Sequence, residues 1–101
     1  MINPRLHIPR EELIEFCKRN PIRELAIFGS AVREDFDPNR SDVDLLVEFD
    51  AESKVGLFQM FDMEYELGAL FQRKVDLVSK RGLNKHIRDN VLGAREIIYA
   101  R

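Results

Sequence analysis

The sequence predicts an α/β or α+β domain in which helices pack against a small sheet. Apolar runs of strand length alternate with segments of helical periodicity, in the order α-β-α-β-α-β-α-β. Hydrophobic residues make up 45% of the chain and charged residues 34%, which is typical of a folded globular protein and not of a disordered one. We therefore expect residues 1–101 to form a single domain with one core.

The first helix is expected between two prolines. Residues 1–8 show no periodicity and are expected to be a loose lead-in. Pro9 suits the first turn of a helix, and Asn20-Pro21 should end it. The apolar positions at helical spacing are Leu13, Phe16 and Cys17. The first strand, Ile22–Phe28, follows and should end at Gly29-Ser30.

The middle of the chain is expected to form a short helix, a strand and the longest helix. The short helix is expected over Ala31–Phe36, before the turn residues Asp37-Pro38-Asn39. The second strand should cover Asp42–Phe49, and the longest helix Val55–Phe71. Apolar residues on this helix cover far more than one stripe. The helix should therefore be deeply buried or should also face a partner, and we expect most of it to lie in the core.

The remaining chain should complete the sheet. A third strand is expected over Lys74–Val78, followed by a helix over Leu83–Leu92 that Gly93 ends. A last short strand is expected over Arg95–Tyr99. Strand order and direction are left open by this pattern.

Two short segments carry the candidate chemistry. One apolar run ends abruptly at Gly29-Ser30, and Asp42 and Asp44 open the next apolar run. Since side chains alternate across a strand, both carboxylates should lie on one face, together with Leu46. Carboxylates that close repel each other, and Mg²⁺ relieves the repulsion. Gly29 permits a sharp turn, and free N–H groups of a helix beginning at Ser30 would bind an anion beside the metal. The combination predicts a nucleoside-triphosphate site.

A third acid, Asp76, lies in the middle of the apolar residues of the third expected strand. A buried carboxylate without a partner is costly, so Asp76 needs a cation nearby. The other interpretation of Asp76 is a salt bridge to Lys74 or Arg73, or exposure on an edge strand. Asp42 and Asp44 also have another interpretation, as polar residues that cap the start of a strand after a turn.

These residues resemble a known motif. Gly29-Ser30, Arg33 and Ser41-Asp42-Val43-Asp44, followed by apolar residues, resemble the motif of the polymerase-β-type nucleotidyltransferase superfamily. The short length and the later segment Lys74–Val78 are most similar to the minimal nucleotidyltransferases (MNT proteins), which pair with HEPN-domain toxins. The resemblance extends from about residue 22 to residue 99. One departure is Glu34, where the family often has glycine after the motif arginine.

The resemblance implies a fold and a set of site residues. The fold would be polymerase-β-like, a small mixed sheet flanked by helices. Two Mg²⁺ ions would be held by the catalytic carboxylates Asp42, Asp44 and Asp76. The substrate ATP would be bound by Gly29, Ser30, Arg33 and Ser41. Arg33 fits a solvated arginine equally well, and Ser41 also fits a local hydrogen bond that holds the loop before Asp42.

The resemblance further implies an antitoxin. AMP from ATP would be transferred to a tyrosine hydroxyl of a partner HEPN toxin, in a hetero-oligomer. Larger relatives hold the acceptor in an extra domain, for which this chain has no residues, so we expect another chain to bring the acceptor. Two alternatives stay open. One is a non-catalytic antitoxin that occludes the toxin, with or without bound nucleotide, which the Glu34 departure keeps open; the other is a nucleotidyltransferase that modifies a small molecule.

Composition argues against several other classes. The formal charge of −2 provides no basic field, so direct nucleic-acid binding is not expected. No apolar run reaches membrane-spanning length and the N-terminus is unlike a signal peptide, so we expect a cytoplasmic protein. The single Cys17 excludes an internal disulfide and is expected to be buried. His7 and His86 are isolated and lack metal-ligand spacing.

Overall fold

One four-stranded sheet organises the computed structural model, which describes residues 1–101. The strand order is β3-β2-β1-β4. The strands are β1 (Ile22–Phe28), β2 (Val43–Phe49), β3 (Val75–Ser79) and β4 (Glu96–Ala100). β1 is antiparallel to both β2 and β4, whereas β2 and β3 are parallel. The expected small mixed sheet is confirmed, and the open question of strand order is answered.

Three helices cover the two faces of this sheet: α1 (Arg10–Arg19), α2 (Leu57–Phe71) and α3 (Lys85–Ala94). α1 and α2 pack on one face and build the main core with alternate residues of the strands, among them Leu25, Ile27, Leu45 and Val47. α3 lies over the opposite face, where Ala26, Leu46 and Leu83 form a smaller core. Leu46 and Leu45 therefore lie on opposite faces, as strand alternation requires.

The first helix forms where the sequence predicts it. Acidic residues occupy its first turn and basic residues its last turn, which complements the helix dipole. The backbone at Asn20 is extended, as expected before a proline, and its side-chain N–H donates to the Phe16 carbonyl at 2.8 Å. Leu13, Phe16 and Cys17 are buried as predicted. Burial raises the pKa of the Cys17 thiol to about 12.

The prediction of a loose lead-in over residues 1–8 is wrong. Leu6 is buried in the main core, and Asn3 is buried as well. Both contacts depend on residues distant in sequence, for which an eight-residue segment without periodicity carries no signal.

The short helix expected over Ala31–Phe36 is also wrong. A single 3-10 turn covers Gly29–Val32, and the backbone is extended at Arg33. The Arg33 carbonyl accepts a hydrogen bond from the Asn3 side chain at 2.8 Å, which stabilises the extended backbone at Arg33. We call this segment the Gly29–Val32 turn.

The last helix is displaced by two residues from its predicted range. It begins at Lys85 because the Asn84 side chain accepts the N–H of His86 at 2.8 Å and caps it. Leu83 lies before the helix and enters the smaller core. Gly93 was expected to end the helix and lies inside it instead. The third and fourth strands are each shifted by one residue from the predicted ranges.

The expectation that most of α2 lies in the core is wrong. Only Met63, Leu67 and Phe71, at positions i, i+4 and i+8, are buried. Four large apolar side chains face outward: Leu57 (72% exposed), Phe58 (85%), Phe61 (59%) and Tyr65 (83%). We call these four residues the exposed α2 face. A helix that covers one side of a sheet buries a single stripe, which leaves the surplus apolar residues exposed. None of the helices combines the length and the apolar character needed to cross a membrane.

Candidate functional site

The three predicted carboxylates meet on the sheet face that carries α3. Asp44 lies on β2 directly opposite Asp76 on β3 in the parallel register, so both side chains project from the same face. Asp42 lies two residues before Asp44, at the entrance of β2, and continues that face. All three carboxylates are half-buried. The parallel pairing of β2 with β3 thus brings the third acid to the first two.

The site holds more negative charge than the protein itself neutralises. The pKa of Asp44 is raised above its ordinary value, first by burial and then by the charges of Asp76 and Asp42. The guanidinium of Arg33 acts in the opposite direction and lowers the pKa of Asp44, but it does not cancel the rise. An additional cation would therefore be stabilised at this face.

The ion pairs around the three acids are few and weak. Lys74 Nζ lies 3.8 Å from Asp42 Oδ2, and the Lys74 side chain is exposed, so the pair contributes little. Asp76 has no ion-pair partner within 4.0 Å, and the alternative of a salt bridge to Lys74 or Arg73 is not observed. Asp76 does lie on an edge strand, as the other alternative supposed, but it is half-buried there.

Gly29 brings the backbone against the Asp44 carboxylate. It has φ +72°, in the left-handed region that favours glycine, and a Cβ at this position would lie 2.3 Å from Asp44 Oδ2. No other residue type fits without displacing the acid. Ser30, the next residue of the Gly29–Val32 turn, is half-buried beside it. Backbone N–H groups in such a turn can bind an anion next to the carboxylates.

Arg33 and Ser41 take different positions relative to the acids. Arg33 is exposed and pairs with Asp35 at 3.1 Å, and its charge lowers the pKa of Asp44. The Ser41 hydroxyl accepts the backbone N–H of Asp37 at 2.9 Å. This bond is the loop support that was one of the two interpretations of Ser41, and binding of nucleotide by Ser41 stays a prediction.

Asn3 supports the site and was missed by sequence reasoning. Its backbone N–H donates to the Ala31 carbonyl at 2.7 Å, and its side-chain N–H donates to the Arg33 carbonyl at 2.8 Å. Its side-chain oxygen accepts the N–H of Arg5 at 2.9 Å. Asn3 therefore holds the Gly29–Val32 turn from outside. A lone asparagine before the first helix gives no signal that it would contact a residue some 30 positions later in the chain.

The donor set fits Mg²⁺ that binds together with a phosphate ligand. No group of three His, Cys, Asp or Glu side chains is arranged to hold a metal ion alone. Mg²⁺ usually takes only one or two carboxylates and completes its shell with water and substrate phosphates. The half-buried carboxylates and their excess negative charge match such a shared site, and a closed metal cage is not needed.

The nucleotidyltransferase domain family model matches residues 10–98 of this chain. A Methanocaldococcus jannaschii protein named protein adenylyltransferase MJ0126 is 27% identical over 93 residues, which cover 91% of this chain and 90% of that protein. The structure of a protein described as a minimal nucleotidyltransferase is 32% identical, with a TM-score of 0.71, and the match covers 86% of each chain.

Two further solved structures share the fold at lower identity. A toxin–antitoxin crystal structure with AMP-PNP has a TM-score of 0.76 at 18% identity and covers 93% of this chain and 75% of its own. A Shewanella oneidensis complex of an MNT antitoxin with a tri-AMPylated HEPN toxin has a TM-score of 0.68 at 16% identity and covers 92% and 71%. The fold expected from the sequence is thereby confirmed.

Proposed function

This chain belongs to the nucleotidyltransferase domain family and is a minimal nucleotidyltransferase, and from that membership we propose that it transfers AMP from ATP to a tyrosine hydroxyl of a partner HEPN toxin. The modification would make it an antitoxin. Phosphodiester-linked AMP adds bulk and negative charge, which would disable an RNA-cleaving centre by sterics and repulsion.

One observation carries the proposal: Gly29 packs against Asp44, and Asp44 lies opposite Asp76. A turn able to bind phosphate and a pair of facing carboxylates therefore share one surface. This is the arrangement that transfer of a nucleotidyl group needs, because triphosphate and acceptor must meet at adjoining positions.

Each part of the site has an assigned task. The N–H groups of Gly29 and Ser30, with the Ser30 hydroxyl, bind the β- and γ-phosphates, and Arg33 adds positive charge beside them. Asp76 lies on the side of the site that faces the acceptor, and it prepares the acceptor hydroxyl for attack on the α-phosphorus. The tyrosine oxygen forms a bond to the α-phosphorus, and the bond from that phosphorus to the oxygen that bridges the α- and β-phosphates breaks. Pyrophosphate leaves with the electron pair, and the phenolic proton passes to solvent.

Asp42, Asp44 and Asp76 would hold Mg²⁺, with two ions expected, and bound Mg²⁺ would neutralise the triphosphate charge and lower the pKa of the acceptor hydroxyl. The carboxylates themselves keep this face of the sheet anionic until the metal-bound nucleotide arrives. We place the reaction in the cytoplasm, where ATP and Mg²⁺ are both present.

The exposed α2 face supports the proposal that this protein binds a partner chain. Four large apolar side chains on one helix form the kind of surface that contacts another protein. The MNT antitoxin of the Shewanella oneidensis complex binds a HEPN toxin, and we assign the same class of partner to this chain. The same surface also favours the second candidate function, an antitoxin that neutralises its toxin by occlusion without catalysis.

The test of the site compares single alanine variants. Asp76→Ala should lower the rate of AMP transfer roughly 100-fold or more while the affinity for Mg-ATP stays within about threefold, because Asp76 acts on the acceptor. Asp44→Ala should weaken Mg-ATP binding as well as transfer. Calorimetry measures affinity, and AMP incorporation into a purified HEPN partner measures the rate.

The matched control for these variants is Asp89→Ala, which removes an exposed carboxylate of α3 and should change neither quantity. Equal loss of Mg-ATP binding in the Asp76 and Asp44 variants would contradict the assigned roles.

A further inference from the structure

The turn between α2 and β3 contacts the segment that presents Asp42. Arg73 Nη1 donates to the carbonyl of Ser41 at 3.3 Å. On the other side of Asp42, the N–H of Val43 donates to the carbonyl of Lys74 at 3.0 Å. Two consecutive residues of this turn therefore hold the residues immediately before and after Asp42.

The Arg73 side chain is fixed more firmly than a surface arginine. Its guanidinium lies 5.2 Å from the ring centroid of Phe36, whose side chain is 1% exposed. Its Nε is buried and has no hydrogen-bond partner, so the inner edge of the guanidinium is enclosed by protein. The planar, forked guanidinium can lie over the Phe36 ring and donate to the Ser41 carbonyl at the same time, whereas the single ammonium of a lysine keeps only part of these contacts.

Arg73 is anchored in turn on the last turn of α2. Gln72 has φ +56° and ends the helix in the left-handed region. The N–H of Arg73 donates to the Gly68 carbonyl at 3.2 Å. A Cβ on Gly68 would lie only 3.3 Å from the Arg73 carbonyl, so a small residue lets this turn close.

The segment that Arg73 holds is a compact loop over residues 37–42. The Asp37 carbonyl accepts the N–H groups of Arg40 and Ser41 at 3.1 and 2.8 Å. The Asp37 N–H donates back to the Ser41 hydroxyl at 2.9 Å. The loop is thus closed on itself. The bond from Arg73 to the Ser41 carbonyl and the bond from the Val43 N–H to the Lys74 carbonyl lie on either side of its last residue, Asp42.

We propose that Arg73 is a positioning residue for Asp42. By lying over the Phe36 ring and donating to the Ser41 carbonyl, it fixes the 37–42 loop so that the Asp42 carboxylate stays on the same face as Asp44 and Asp76. The inference deepens the proposed function, on which its nucleotide-binding consequence rests. Loss of Arg73 therefore lowers the affinity for metal-bound nucleotide, although no atom that binds the metal is removed.

The test uses Arg73→Met, which keeps an unbranched side chain but removes the guanidinium, and Arg73→Lys, which keeps the charge. Arg81→Met is the matched control, since Arg81 is exposed and lies outside this contact. Amide hydrogen exchange of residues 36–43 in the nucleotide-free protein reports the loop. Titration of Mg²⁺ at fixed ATP reports the site, because a displaced Asp42 raises the Mg²⁺ needed for half-saturation.

In Arg73→Met we expect exchange over residues 36–43 to rise about tenfold, and the Mg²⁺ requirement to rise about tenfold, with binding restored at excess Mg²⁺. Exchange in β1 and β4 should stay unchanged. Arg73→Lys should show the same pattern more weakly, and it replaces Arg73→Met if that variant does not fold. Arg81→Met should behave as the wild type.

Unchanged exchange over residues 36–43 would overturn the inference, as would faster exchange with an unchanged Mg²⁺ requirement. A loss of nucleotide binding that excess Mg²⁺ does not restore would also overturn it, since that pattern indicates general damage. If the wild type binds no Mg-ATP, the proposed function fails, and the exchange measurement alone then decides whether Arg73 holds the loop.

Discussion

Gly29 is the residue on which the geometry of the site depends most directly. Alanine there would have to adopt φ +72°, which costs roughly 1–2 kcal/mol, and its Cβ would displace the Asp44 carboxylate. Gly29→Ala should therefore lower the free energy of unfolding by at least that amount and weaken Mg-ATP binding. Urea unfolding and calorimetry measure the two effects.

Gly93→Ala is the control for this substitution. Gly93 lies within α3, and a Cβ at this position would have nothing within 4 Å, so alanine should raise stability by about 0.5–1 kcal/mol and leave binding unchanged. If Gly29→Ala is as stable as the wild type and binds Mg-ATP normally, the close approach of Gly29 to Asp44 has no functional role.

Asp44 should make stability depend on pH. Its raised pKa means that the folded protein holds the Asp44 proton more tightly than the unfolded chain does. Stability is therefore lost as pH rises from the ordinary value of 3.8 through the raised folded value. Asp44→Asn cannot ionise, so in Mg²⁺-free buffer it should have the higher Tm at neutral pH.

The measurement is Tm of both proteins from below pH 3.8 to neutral pH without Mg²⁺. The advantage of Asp44→Asn should grow through the window and then level off. Mg-ATP should raise the Tm of the wild type but not that of the variant. A Tm difference that is the same at every pH would show that the ionised form of Asp44 does not destabilise the folded protein.

Among individual residues, the sequence predicts those of the motif but not those that hold the motif residues in place. The common face of Asp42 and Asp44 follows from strand alternation, which is a local rule. Asn3 and Arg73 act through hydrogen bonds to residues about 30 positions away. Such contacts depend on how distant segments come together, and neither residue type signals them.

Among the elements, α2 separates what periodicity can predict from what it cannot. The sequence predicts the start of the helix to within two residues and its end at the observed residue, but the prediction that most of its apolar residues are buried is wrong. Helical periodicity shows which residues share a stripe. It does not show how much sheet surface lies beneath the helix, and here only the stripe of Met63, Leu67 and Phe71 is covered.

The exposed α2 face should matter for partner binding and not for folding. Replacing Phe58 and Tyr65 together by serine should change the free energy of unfolding by no more than about 0.5 kcal/mol per site, because both side chains are already more than 80% exposed. The affinity for a HEPN partner should fall at least about tenfold. Thermal unfolding and surface plasmon resonance measure the two quantities.

Met63→Ala provides the contrast on the same helix. Met63 is buried, so its truncation should cost about 2–5 kcal/mol of stability while the outer surface stays intact. If the Phe58 and Tyr65 double variant binds the partner as tightly as the wild type, the partner contacts another surface.

For the whole molecule, the decisive feature is the parallel register of β2 and β3. The sequence predicts the order of the three helices and four strands, apart from the short helix over Ala31–Phe36 that does not form, but this order is compatible with several sheets. The parallel pairing of β2 with β3 sets Asp76 opposite Asp44. Pairing of strands some 30 residues apart is a non-local choice, which explains why the third acid could be proposed from its apolar surroundings but not located.

The measurement that tests the central claim most directly is the intact mass of a HEPN partner co-expressed with this protein. The wild type is compared with the double variant Asp42→Ala and Asp44→Ala, and with Asp89→Ala as the control. We expect the partner to gain the mass of one or more AMP groups with the wild type and the control, and none with the double variant. An unmodified partner that binds the wild type and the double variant equally tightly would contradict the claim and make the protein an antitoxin that acts by occlusion.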